Sequence, residues 1–68
     1  MQTRMVVAAA LKPGDRMILG DARMCWEVKG TSRAVPQSAK KICIFGPRVN
    51  GTSLRWFFDL NEMVEVLS

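Results

Sequence analysis

Histidine and tyrosine are absent from this 68-residue chain. Without histidine, no side chain has an ordinary pKa suited to general acid–base work at neutral pH. Histidine-dependent nucleophilic triads are excluded with it. Cysteine is scarce: Cys25 and Cys43 could form one disulfide at most, whereas a secreted chain this short usually carries four or more. With no histidine and no C-x-x-C pair, their spacing suits no zinc site. Long apolar runs are missing too. The run from Met5 ends at Lys12-Pro13, too short for a secretory signal even though Ala8-Ala9-Ala10 imitates a cleavage site. Nothing approaches the ~20 apolar residues of a membrane helix. A cytoplasmic protein with reduced thiols and no membrane partner is expected.

Acidic residues are missing where they would matter most. Between Val28 and Phe58 there is none, while Lys29, Arg33, Lys40, Lys41, Arg48 and Arg55 all fall in that stretch. The remaining acids lie before it, at Asp15, Asp21 and Glu27, or in the tail, at Asp59, Glu62 and Glu65. The net charge is +4. Such a field favours anionic partners, nucleic acid among them, although an ordinary solvated surface carries the same imbalance.

What is present reads as one small globular domain over residues 1–68. Apolar residues make up 49% and charged residues 24%, which excludes a disordered or low-complexity chain. Turn chemistry cuts the chain into short pieces. The breaks are Lys12-Pro13-Gly14-Asp15, Gly20-Asp21, Gly30-Thr31-Ser32, Pro36-Gln37-Ser38, Gly46-Pro47 and Asn50-Gly51. Pieces of that length are strands rather than helices.

Period-2 alternation agrees. Met24, Trp26 and Val28 share one face; so do Ile42 and Ile44, Leu54, Trp56 and Phe58, and Val64 and Val66. Six strands are expected, at about 4–9, 15–20, 24–30, 40–45, 53–58 and 63–67. A helix over 5–12 competes with the first, because Ala8 to Leu11 are good helix formers. Asp59-Leu60-Asn61-Glu62 reads as one helical turn with a capping box. Met17, Leu19, Trp26, Val28, Ile42, Ile44, Leu54, Trp56, Phe58, Val64 and Val66 are the expected core. The two tryptophans are read as structural filling rather than ligand platforms.

Short strands at this spacing suit a small all-β barrel of five to six antiparallel strands. Leu11-Lys12-Pro13-Gly14-Asp15-Arg16, then Trp26-Glu27-Val28, Phe58-x-Leu60 and Val64-Glu65-Val66 carry a likeness over residues 5–67. The chain resembles the SH3-like small barrels, in particular the short single-domain proteins encoded by actinobacterial phages. The resemblance implies a fold far more than an activity. It places the protein in the host cytoplasm and makes a host protein one partner. The 30–39 connection and the 46–52 loop depart from the pattern.

If Ile42, Ile44, Leu54, Trp56 and Phe58 point inward, then Lys41, Cys43, Phe45, Arg55 and Phe57 point outward. A one-residue slip in 40–45 would exchange Phe45 for Ile44. Phe45, Arg55, Phe57 and Cys43 are therefore candidate interface residues, for a second copy or another protein. Lys29, Arg33, Lys40, Lys41, Arg48 and Arg55 are the candidate phosphate contacts of a nucleic-acid binder, with Arg33 and Arg48 on the basic loops 30–39 and 46–53 and Lys29, Lys40 and Lys41 flanking them. Phe45 or Phe57 would then stack bases. Catalysis, a metal and a cofactor are not expected. Neither cysteine has a base, no serine sits in a nucleophile elbow, and the carboxylates fall in turns, caps or strand exteriors.

Overall fold

The structure, a computed structural model, describes residues 2–33 and 40–68. Over these residues it is all-β, with seven strands in two antiparallel sheets. The first sheet has the order β1-β7-β2-β3, built from Thr3–Val7, Met63–Leu67, Arg16–Leu19 and Met24–Glu27. The second has the order β4-β5-β6, built from Gly30–Ser32, Lys41–Val49 and Thr52–Asp59.

The competition at the N-terminus ends in division. Thr3–Val7 is a strand, and Ala8–Ala10 follows as a single 3-10 turn with Ala8 buried. The strand expected over 24–30 is also divided. Val28, just past β3, is still bonded to the chain leading into β2: its N–H donates to the Asp15 carbonyl (2.7 Å) and its carbonyl accepts from Gly14 N–H (2.9 Å). One residue later, Lys29 N–H donates to the Phe45 carbonyl of the second sheet (2.8 Å). The chain thus changes sheets at Val28–Lys29, with Val28 fully buried at the corner.

Two further expectations are corrected. The 46–52 segment is not a loop: β5 and β6 stay paired through a bulge after Phe45, as far as Val49↔Thr52. Pro47 is accommodated because a bulge leaves residues outside the ladder. Asn50 and Gly51 alone form the turn, with φ of 53° and 79°, as an Asn-Gly hairpin requires. Asp59-Leu60-Asn61-Glu62 is a turn and not a helix. Half of the capping box is nonetheless made, since Asp59 N–H donates to Glu62 Oε1 at 3.2 Å. The turn expected at Pro36-Gln37-Ser38 lies outside the described residues.

The core lies between the sheets. Ala8, Leu11, Met17, Val28, Ile42, Ile44, Val64 and Val66 form it, with Leu19, Trp26, Trp56 and Phe58 partly buried against it. Ala8 and Leu11 join the core although alternation does not mark them, while Leu54, expected in it, is only partly buried and stands outside the cluster. Trp26 and Trp56 meet at 5.7 Å between ring centroids, tilted by 52°, within the favoured range for aromatic pairs.

Candidate interaction face on the second sheet

Strand register assembles the candidate site. Opposed residues of an antiparallel pair share a face. The pairs Lys41↔Asp59, Cys43↔Phe57 and Phe45↔Arg55 therefore line the outward face of β5 and β6. β4 adds Ser32 beside Cys43 and Gly30 beside Phe45. Arg55 and Phe57 are exposed, Phe57 to 57%. Phe45 is only half-buried, because the glycine next to it leaves one flank of its ring open.

Cys43 belongs to this face by register but not to the surface, being 6% exposed. It sits on the central strand, between Ser32 of β4 and Phe57 of β6. The expectation of an exposed Cys43 contact is corrected accordingly. The exposed thiol is Cys25, on β3.

The basic residues separate into groups. Lys29 and Arg48, with Gly30, Phe45, Gly46 and Ser53, line an open groove of about 440 Å³ beside the Phe45 ring. Lys29 Nζ also reaches Glu27 at 3.2 Å, and Arg48 Nη2 donates to the Gly51 carbonyl at 2.9 Å. Lys41 is tied elsewhere: it pairs with Asp59 at 2.9 Å, and that hydrogen bond holds its pKa above the ordinary lysine value. Arg33 and Lys40 are exposed at the ends of the undescribed segment and are not among the groove residues. The expected basic loop 30–39 is corrected at its start, where Gly30–Ser32 is strand β4 paired with β5 rather than a turn; residues 34–39 lie outside the described residues.

The other sheet carries features the sequence did not announce. Met5, Val7 and Met63 are exposed on its outer face, with Val7 paired to Met63 and Met5 to Glu65. Glu65 accepts two hydrogen bonds from Arg23 (2.9 Å each) and one from Thr3 Oγ1 (2.8 Å). These bonds, Arg23 first, hold the Glu65 carboxyl below its ordinary pKa. Partners 42 and 62 positions away in sequence leave no local signal.

Comparison with protein-family models, curated proteins and solved structures gives no match. No helix among the described residues is long and apolar enough to cross a membrane.

Proposed function

We propose that this chain is a non-enzymatic interaction protein that works by self-association and by binding another protein through the outward face of β5 and β6. The observation that carries this reading is Phe57, a large aromatic left mostly in water on a sheet-edge strand, with Arg55 two residues away on the same face. Aromatics and arginine dominate binding energy at protein interfaces. A 68-residue domain also gains from burial between subunits, since its own core is small. In the setting of the phage resemblance, the chain is an SH3-like barrel acting in the host cytoplasm, and the other partner is a host protein. Light-scattering mass over a dilution series tests the reading. A mass above the monomer that falls on dilution, and falls outright in Phe57→Glu, supports it; a monomer throughout sinks self-association.

Nucleic-acid binding is the second reading, favoured by the groove that sets Lys29 and Arg48 beside the open flank of Phe45. Phosphate contacts release counterions, so such binding weakens steeply with salt. A mixed-sequence single-stranded oligonucleotide should then bind at low salt, and Lys29→Glu/Arg48→Glu should abolish it. Binding that ignores both salt and those charges would remove this reading.

A further inference from the structure

β6 is the edge strand of the second sheet, and two main-chain hydrogen bonds set the phase of its ladder. Leu60 N–H donates to the Lys40 carbonyl at 2.9 Å, one residue beyond the Lys41↔Asp59 pair. On the far side of β5, the Phe45 carbonyl accepts from Lys29 N–H. Hydrogen-bonded and non-hydrogen-bonded pairs alternate in an antiparallel ladder. Ile42↔Phe58 and Ile44↔Trp56 are therefore the bonded pairs, while Cys43↔Phe57 and Phe45↔Arg55 are not. Arg55, Phe57 and Asp59 thus turn their N–H and C=O groups toward the open edge. Asp59 is already engaged: its N–H donates to Glu62 Oε1, and its carbonyl accepts from Glu62 N–H at 3.0 Å. Among the described residues, Arg55 and Phe57 keep a free pair of main-chain groups each.

We infer that a second copy of this chain docks β6 against β6, antiparallel, about a two-fold axis at Trp56. Arg55 of each copy then lies opposite Phe57 of the other. The inference rests on the self-association reading and names its interface. Four main-chain hydrogen bonds form between groups otherwise left to water, and two three-stranded sheets become one of six strands. Each Arg55 guanidinium lies over the exposed Phe57 ring of the other copy, a cation–π pair made twice.

Competing registers do less. A shift of one residue sets outward side chains against inward ones. An axis at Arg55 opposes two like charges, and an axis at Phe57 opposes Arg55 to the engaged main chain of Asp59. The axis at Trp56 is sterically open, because the ring leans over Gly46 on β5, away from the edge.

Cysteine cross-linking tests the register, in a Cys25→Ser/Cys43→Ala background because Cys43 sits opposite Phe57. Mixing Arg55→Cys with Phe57→Cys should give a disulfide-linked pair on mild oxidation, and neither variant alone should. Cross-linking of Phe57→Cys by itself would overturn the register.

A second test keeps the native cysteines. Arg55→Pro removes an N–H that points out of the sheet and so spares the β5 ladder. It should leave the circular dichroism unchanged and the mass monomeric; a dimer retained in Arg55→Pro would overturn the edge pairing. A wild-type monomer at every concentration would sink self-association itself. A wild-type dimer that shows neither the cross-link nor the proline effect would sink only the interface named here.

Discussion

Gly46 lies against the ring of Trp56, so close that a Cβ built on the glycine would collide with Cζ3 and Cη2 of the indole. The bulge after Phe45 brings this about, and the missing side chain is what lets Trp56 lie back toward Trp26. Gly46→Ala should cost about 1–3 kcal/mol, the usual range for overpacking a filled site. Against a total stability of roughly 3–10 kcal/mol for a domain of this length, that is a large fraction. Urea unfolding followed by tryptophan fluorescence measures it, and Trp56→Leu in the same chain should recover part of the loss by making room. An alanine variant as stable as the parent would mean the indole is free to move away.

The Thr3–Glu65–Arg23 cluster should give stability a specific pH dependence. Glu65 has a folded pKa below its ordinary value of 4.5. Its contribution is therefore fully present above that value and lost as pH falls through the lowered folded pKa. The stability difference between the parent and Glu65→Gln should hold steady at neutral pH and shrink in acid. Added salt should reduce it as well, since the pair is solvent-accessible. Thermal unfolding of both proteins along a pH series is the measurement; parallel curves at every pH would show that the carboxylate contributes nothing.

The two thiols should react on separate timescales. Cys25 is exposed and Cys43 is buried across from Phe57. A thiol reagent under native conditions should label one equivalent at once and the second only as fast as the second sheet opens. Phe57→Ala should speed the slow phase. Two equal fast phases in the parent would contradict the burial of Cys43.

Methionines separate core from surface within one residue type. Met17 is 0% exposed and Met5 is 55% exposed. Met17→Ala should cost about 2–5 kcal/mol, enough to unfold much of so small a domain. Met5→Ala should stay within about 0.5 kcal/mol. Denaturation midpoints of the two variants decide the matter, and equal losses would mean that the outer patch around Met5 is covered in solution.

Most strands were legible in the sequence because their signals are local. Alternation in 54–58 and 63–67 and the Asn50-Gly51 turn need only neighbouring residues to be read. The break after Glu27 was not legible, because Val28 alternates correctly with Trp26 whether or not the strand continues. It ends there because Asp15 and Phe45, far apart in sequence, claim consecutive backbone groups. The continuation of β5 past Gly46-Pro47 was hidden for the opposite reason: a glycine and a proline signal a loop, and only pairing with β6 makes a bulge of them.

The candidate face divides along the same line. Alternation alone placed Cys43, Phe45, Arg55 and Phe57 on one side of their strands, since a pleated backbone leaves no choice. Strand order decided which of them meet solvent. Cys43 lies on the central strand and is buried, Phe45 borders a glycine, and Phe57 lies on an edge. Whether a backbone N–H finds a partner depends on which strand arrives beside it, and that strand comes from elsewhere in the chain. The sequence by itself determined most of the strands and which way their side chains point, because turn chemistry and alternation are local; the tertiary structure decided where β3 ends, how far β5 runs and which edge lies open among the described residues.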